Sequence, residues 1–246
     1  MNKFFASLLT ACIPNKARRK ALRQKLAVKK VRTPPGNTVS IEGGGSTKSI
    51  HINGIGNQIF VKKPNTPLHL EVSITGNNNQ IIIEEGLRTE TLCRIFIGNA
   101  PYTCNNARIH IGKNVQINDV YFLLMEDHST IEVGNDCLFS WGIYVWASDS
   151  HAIFEVPPGC PYDSFEAIKN KKAINPGHFV KIGNHVWVGM DVKIGKDTEI
   201  GDGSVIGWGS IVTKKFSQKN CIIAGNPAKL VKENRSWGHS SANMHS

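Results

Sequence analysis

Aliphatic residues return at every sixth position over residues 182–210, and a glycine follows each of them. An α-helix would place apolar residues three and four positions apart, and each interior glycine would cost it about 1 kcal/mol. A six-residue period is instead typical of a coil of very short strands, in which three hexads complete one turn. The pattern predicts two sets of inward-facing positions: Ile182, Val188, Ile194, Ile200 and Ile206, and, four residues after each, Val186, Val192, Thr198, Ser204 and Ser210.

A looser form of the same pattern precedes the hexads. Alternating aliphatic residues followed by glycine or asparagine recur as IHINGIGNQIFV at 50–61, EVSITGNNNQIII at 71–83 and RIHIGKNVQI at 108–117. The pairs Ile52 and Ile74, and Ile111 and Val133, are each 22 positions apart, which indicates turns of constant length. The chain is therefore predicted to be an all-β solenoid, a left-handed parallel β-helix.

The repeat defines the expected organisation of the chain. Residues 1–36 are predicted to form a basic amphipathic helical arm that ends at a Thr-Pro-Pro-Gly segment. Residues 37–228 form the β-helix, from which residues 152–180, with four prolines and no hexads, protrude as a loop. Residues 229–246 are expected to form a short C-terminal helix and a disordered tail.

The net charge of +10 is confined to the N-terminal arm. Residues 1–41 hold ten lysines and arginines and no acidic residue, so the rest of the chain is formally neutral. This distribution does not predict a nucleic-acid-binding protein. A basic amphipathic segment over residues 1–33 suits an anionic membrane surface, where each basic residue contributes about 1 kcal/mol, and a solvated tail or a packing helix is the alternative.

The six cysteines are scattered and include no C-x-x-C pair, which argues against a disulfide framework and a zinc knuckle. Residues 9–12 resemble a lipoprotein cleavage site, but the apolar run before Cys12 is short for a signal sequence. No stretch approaches the roughly 20 apolar residues of a membrane-spanning helix. We expect a cytoplasmic protein. The basic arm also allows peripheral binding at the inner face of the membrane.

Several motifs together carry a resemblance to a known family over about residues 70–232. They are GNNNQI at 76–81, SDSH at 148–151, IGNHVWVG at 182–189, SIVTKK at 210–215 and AGNPAKLVKE at 224–233. In this order the chain resembles the hexapeptide-repeat acyltransferases. Within them it is similar to the capsule and lipopolysaccharide sugar O-acetyltransferases and to the galactoside and maltose acetyltransferases.

The resemblance implies that His151 is the general base, a role that suits neutral imidazole at pH 7. Asp149 is expected either to orient the His151 ring or to bond local amides. Trp187 matches a tryptophan placed beside the acetyl group and the acceptor, and it should face outward because Val186 faces inward. His185 is expected to contact the substrate and not to act as the base, because the galactoside branch often has asparagine at that position.

The resemblance further implies that acetyl-coenzyme A is the co-substrate and lies between two subunits of a homotrimer. The positions expected to bind it are Gly189, Met190, Trp208, Thr213, Lys214, Lys229 and Lys232. Lysine and threonine side chains suit the phosphates of coenzyme A. No metal is predicted, because the chain lacks the His-x-x-x-x-His spacing of the zinc-dependent γ-carbonic anhydrases, which are also β-helices.

The predicted activity is O-acetylation of a sugar hydroxyl in a surface glycan, a capsular polysaccharide or lipopolysaccharide, with the glycan or a lipid-linked sugar as the acceptor. One alternative is N-acetylation of an amino sugar nucleotide. Such enzymes often carry a nucleotide-binding domain, and residues 1–70 contain no G-x-G-x-x-G motif after a strand. The other alternative is a non-catalytic β-helix scaffold.

Overall fold

Short parallel strands stack into a three-sided solenoid. The computed structural model describes residues 33–43, 49–65, 67–159 and 168–240. Its parallel sheets and hexapeptide repeat fit the predicted left-handed β-helix. The predicted N-terminal helical arm lies outside the described residues, apart from Thr33–Gly36, which include a turn and no helix.

The first face of the solenoid is a seven-stranded parallel sheet. Its strands, in spatial order, are β1 (Thr38–Ile41), β3 (Gln58–Val61), β5 (Gln80–Ile83), β7 (Arg108–Ile111), β9 (Thr130–Val133), β12 (Phe179–Ile182) and β15 (Thr198–Ile200).

A twelve-stranded sheet supplies the other two faces, because two long strands, β6 (Arg88–Ile97) and β8 (Gln116–Leu124), bend around the edge between them. The second face holds the beginnings of these two strands with β10 (Leu138–Phe139), β13 (Trp187–Val188), β16 (Val205–Ile206), β18 (Ile222–Ala224) and β19 (Lys229–Lys232). The third face holds their ends with β2 (Ser49–Asn53), β4 (Leu70–Thr75), β11 (Ile143–Trp146), β14 (Lys193–Ile194) and β17 (Ile211–Val212).

The strand register confirms the turn lengths predicted from the repeat. Ile52 pairs with Ile74 and Ile111 pairs with Val133. In the hexad region the separation between stacked residues falls to 18, as in the pair Lys181 and Glu199. Three hexads therefore complete one coil.

The inward-facing positions of the hexads are confirmed. All ten predicted side chains are buried, with Ile182 at 2% exposure as the most accessible. The buried hydroxyls are hydrogen-bonded, because Thr198 Oγ1 donates to the Gly195 carbonyl at 2.7 Å, Ser210 Oγ donates to the Gly207 carbonyl at 2.6 Å, and Ser204 Oγ accepts from the Cys221 amide at 3.2 Å. Small hydroxyl residues can therefore occupy the inner corners without a free polar atom.

The prediction of a C-terminal helix is wrong. Residues 229–232 form β19, which pairs antiparallel with β18. The last coil leaves a row of unpaired backbone groups at the edge of the sheet, and a returning strand satisfies them where a helix would not.

The tail expected to be disordered begins with ordered residues. Trp237 packs on the solenoid and His239 contacts Asp136. Residues 241–246 lie outside the described part of the chain. The described segments contain no helix long and apolar enough to cross a membrane.

Candidate active site

The long loop leaves the solenoid after β11, at the point where a regular coil would continue directly into the next strand of the first face. Ala147 and Ser148 are still buried, and Ser150 then adopts a left-handed backbone with φ of 64°. His151 follows immediately and is exposed. A non-glycine residue at positive φ is uncommon, and here it turns the chain away from the solenoid axis.

The two arms of the loop pass close together at its base. A Cβ atom on Gly177 would lie 2.2 Å from the Ala147 carbonyl oxygen, so only glycine fits between the arms. The regular structure resumes at Phe179. Between the arms and the preceding coils lies a cavity of about 500 Å³, lined among others by Tyr102, Glu126 and His151.

The backbone of His151 is held while its ring is left free. The His151 carbonyl accepts a hydrogen bond from Asn175 Nδ2 at 2.9 Å. Within the described residues, no hydrogen-bond partner contacts the imidazole nitrogens. The ring at the cavity is therefore available to a ligand.

Asp149 contacts the loop base rather than the His151 ring. Its Oδ2 accepts hydrogen bonds from Asn175 Nδ2 at 2.9 Å and from Lys196 Nζ. Burial raises the pKa of this carboxyl, but the hydrogen bonds from Lys196 and Asn175 outweigh burial and hold the pKa below its usual value. Of the two roles expected for Asp149, the structure places it with local polar groups.

Glu126 also lines this cavity, and sequence reasoning missed it. Its Oε1 accepts a hydrogen bond from Ser148 Oγ at 2.8 Å, and its Oε2 is buried with no hydrogen-bond partner among the described residues. Burial raises the pKa of this carboxyl. The signal for it was the turn length, because Glu126 lies 22 residues before Ser148 and therefore stacks directly beneath it.

His185 lies on a different edge, between the first and second faces, and both of its ring nitrogens are engaged. Nδ1 is 2.6 Å from Asp136 Oδ2, and Nε2 is 3.0 Å from the Trp237 carbonyl oxygen. Both partners are acceptors, so only the doubly protonated imidazolium makes both hydrogen bonds. The indole of Trp237 stacks on the ring at 4.5 Å. His185 in this arrangement has no free nitrogen to accept a proton.

Trp187 faces outward, as predicted, with 38% of its surface exposed. Its Nε1 donates to Ser140 Oγ at 3.3 Å, and its ring lies 6.2 Å from that of Trp237. Among the described residues, its aromatic neighbour is therefore in the C-terminal segment, residues 233–240.

The residues expected to bind coenzyme A fall into three places. Gly189, Met190 and Trp208 lie on the edge between the second and third faces, where the Gly209 amide donates to the Met190 carbonyl. Thr213 and Lys214 follow β17 and are exposed on the same edge as His151, further along the solenoid. Lys229 and Lys232 are exposed on β19. Nowhere in the described segments do three or more His, Cys, Asp or Glu side chains cluster as a metal site would require.

Comparisons with known proteins agree with this architecture. Residues 179–214 match the family model described as bacterial transferase hexapeptide, six repeats. A structure of the polySia-specific acetyltransferase NeuO is 28% identical, covers 84% of this chain and 80% of its own, and superimposes with a TM-score of 0.63. The polysialic acid O-acetyltransferase OatWY is 26% identical, covers 85% of this chain and 92% of its own, and has a TM-score of 0.54.

No curated protein sequence matches the chain significantly. The assignment therefore depends on the repeat and on the solved structures. The chain carries the bacterial transferase hexapeptide repeat, and its predicted resemblance to the hexapeptide-repeat acyltransferases is confirmed, with two polysialic acid acetyltransferases among the solved structures that it resembles.

Proposed function

We propose that this protein transfers an acetyl group from acetyl-coenzyme A to a sugar hydroxyl of a surface glycan, with His151 as the general base. The observation that carries this proposal is His151, which lines the cavity and whose ring nitrogens have no hydrogen-bond partner among the described residues. The similarity over most of the chain to two polysialic acid acetyltransferases supports the choice of a glycan acceptor.

The reaction needs one proton acceptor near the hydroxyl. Neutral imidazole at His151 takes the hydroxyl proton as the sugar oxygen attacks the thioester carbonyl, and the C–O bond forms. The tetrahedral intermediate then collapses, the C–S bond breaks, and the imidazolium returns the proton to the departing coenzyme A thiolate. The imidazole ends the cycle neutral, so no other proton carrier is required.

His151 is a better base than His185 in the described arrangement. A base must have a free nitrogen within hydrogen-bond reach of the hydroxyl. His185 has one nitrogen on a carboxylate and the other on a backbone carbonyl. Its role in this proposal is to hold the C-terminal segment beside Trp187, which contacts the acceptor.

Coenzyme A is an anion with an extended tail, and the exposed cations of the last coil suit it. Lys214, Lys229 and Lys232 are exposed in this region. Within one chain, Trp187 and His151 lie on different sides of the solenoid. The proposed site therefore lies between subunits of a homotrimer, in which Trp187 and Trp208 of one subunit face His151 of the next. We place the protein in the cytoplasm, with residues 1–33 contacting an anionic membrane surface.

Two measurements on the purified protein test the proposal. Calorimetry with coenzyme A measures binding, and thiol release from acetyl-coenzyme A measures transfer to polysialic acid, lipid-linked oligosaccharides, free sugars and amino sugars. We expect coenzyme A to bind and release to require a hydroxyl acceptor. Absence of coenzyme A binding would contradict the proposal, and transfer only to amines would favour the N-acetyltransferase alternative.

A further inference from the structure

The side chain of Asn175 closes the base of the long loop. It comes from the returning arm and reaches three residues of the departing arm at once. Oδ1 accepts from the Ile153 amide at 2.6 Å, and Nδ2 donates to Asp149 Oδ2 and to the His151 carbonyl, each at 2.9 Å. Both polar atoms of the Asn175 amide are therefore used, and all three bonds go to the segment that carries His151.

The three partners are spaced two residues apart. Ser150, in a left-handed conformation, bends the chain between the first two of them. Asn175 therefore binds the Asp149 side chain and the backbone of His151 and Ile153 across this bend. The Ile174 amide adds a backbone bond to the Ile153 carbonyl at 2.9 Å. The departing arm is held both before and after His151.

Lys196 ties this clamp to the rigid part of the molecule. It lies in the turn between β14 and β15, one coil further along the solenoid. Its ammonium group donates to Asp149 Oδ2 and to the Asn175 carbonyl. The Lys196 side chain is only 19% exposed, so this ion pair is less screened than one at the surface.

The clamp holds the backbone of His151 and makes no hydrogen bond to its ring. A general base works only within a narrow range of distance and angle to its hydroxyl, and displacement by about 1 Å costs up to about 100-fold in rate. His151 follows a residue at positive φ and lies outside the regular solenoid. Strand pairing therefore does not fix its position, and the side-chain bonds of Asn175 have to do so.

We propose that Asn175 is a positioning residue for His151, and that Lys196 anchors Asn175 and Asp149 to the solenoid so that the imidazole stays aimed into the cavity. This inference rests on the proposed function, in which His151 is the base.

The Asn175→Asp variant is the sharpest test. The substitution keeps the size of the side chain and the acceptor for the Ile153 amide. It replaces the donating nitrogen by an oxygen that faces the Asp149 carboxylate and the His151 carbonyl. We expect kcat to fall about 10- to 100-fold while the KM values for acceptor and acetyl-coenzyme A change little, because the polar atoms of Asn175 are bonded to the loop and the substitution disturbs the base geometry.

Asn170→Asp is the matched control, because it places the same charge change elsewhere in the same loop and should leave kcat unchanged. Lys196 supplies an independent pair of variants if Asn175→Asp does not fold. Lys196→Met should lower kcat at constant KM, and Lys196→Arg, which keeps the cation, should retain several times more turnover than Lys196→Met. A loop that was merely loosened would raise the KM for the acceptor instead.

His151→Ala separates the two proposals. If His151→Ala is inactive while Asn175→Asp and Lys196→Met keep wild-type kcat, the positioning role is overturned and the base assignment stands. If His151→Ala keeps wild-type kcat, the base assignment fails, and so does the positioning role that depends on it. Loss of activity in all of these variants, with an unchanged Asn170→Asp control, supports both.

Discussion

Two histidines lie at two edges of the same solenoid, and their surroundings are opposite. Asn175 holds the backbone of His151, whose ring has no hydrogen-bond partner among the described residues, whereas Asp136 and Trp237 hold both ring nitrogens of His185. A free imidazole can take up and return a proton. An imidazole between two acceptors instead fixes the position of whatever it binds, which here is the C-terminal segment. The contrast teaches that the hydrogen bonds of a histidine ring decide between catalysis and structure.

Alanine substitution at each of the two histidines should give the largest difference in kcat. His151→Ala is expected to lower kcat about 10²- to 10⁴-fold, the usual contribution of a positioned base, with coenzyme A affinity preserved. His185→Ala should lower kcat less than about tenfold. His51→Ala, an exposed histidine on β2, is the control. The comparison breaks if His151→Ala keeps more than about a tenth of wild-type turnover while His185→Ala is inactive, because the base would then be His185.

Alanine substitutions at Trp187 and Trp208 should distinguish binding of the acceptor from binding of acetyl-coenzyme A. Both are exposed, at 38% and 72%. Trp187→Ala should raise the KM of the acceptor about two- to tenfold, the worth of one aromatic contact, and leave coenzyme A affinity unchanged. Trp208→Ala should weaken coenzyme A binding and leave the KM of the acceptor unchanged. A loss of several kcal/mol of unfolding free energy in Trp187→Ala would show instead that Trp187 is a packing residue.

Acid should release the C-terminal segment from His185. Burial raises the pKa of Asp136, but hydrogen bonds from His185 and His239 outweigh it and leave the pKa below its usual value. A carboxyl whose pKa is lower in the folded than in the unfolded protein stabilises the fold at pH values above its unfolded pKa, which is about 4. That stabilisation is lost as the pH falls below this value and through the folded pKa.

Fluorescence of the C-terminal tryptophan, followed from pH 7 to pH 3, measures this release. We expect a step below about pH 4 in the wild type and no such step in Asp136→Asn. Asp127→Asn, a carboxylate that bonds Asn105 and not the C-terminal segment, should keep the step. A step that persists in Asp136→Asn would mean that another group holds the segment.

Glu126→Gln should have the smallest effect of these substitutions. Its effect on stability has a pH dependence opposite to that of Asp136, because the pKa of Glu126 is raised and not lowered. Burial raises the pKa of Glu126, so the folded wild type loses stability as the pH rises through that titration. Glutamine keeps an acceptor for Ser148 and carries no charge. Thermal unfolding at pH 5 and pH 8 should show the variant gaining about 1–2 °C on the wild type at the higher pH. A gain at the lower pH would contradict the assigned sign.

The fold was predictable where the chain repeats. The hexads specify both sets of inward positions, and the structure buries every one of them. Prediction failed after residue 228, where the repeat ends. The helical pattern around Leu230 and Val231 is weak, and the free edge of β18 decides in favour of a strand.

The site was predictable only in part. The SDSH motif indicates His151 because it matches a family pattern, and Trp187 faces outward by simple alternation. Glu126 could have been found only from the turn length, because it lies 22 residues before Ser148. Asn175, in the returning arm of the loop, and Lys196, in the next coil, had no such signal. Their proximity follows from how the coils stack and from where the loop returns.

The sequence by itself determined the solenoid, its turn length and the two edges on which the histidines lie, because a six-residue period permits one way of burying its aliphatic residues. Only the tertiary structure decided which imidazole is free. That depends on the paths of residues 147–159 and 168–178 and of residues 233–240, all of which lack the repeat. Their positions are set by individual hydrogen bonds, such as those of Asn175 and Trp237, between residues far apart in the chain.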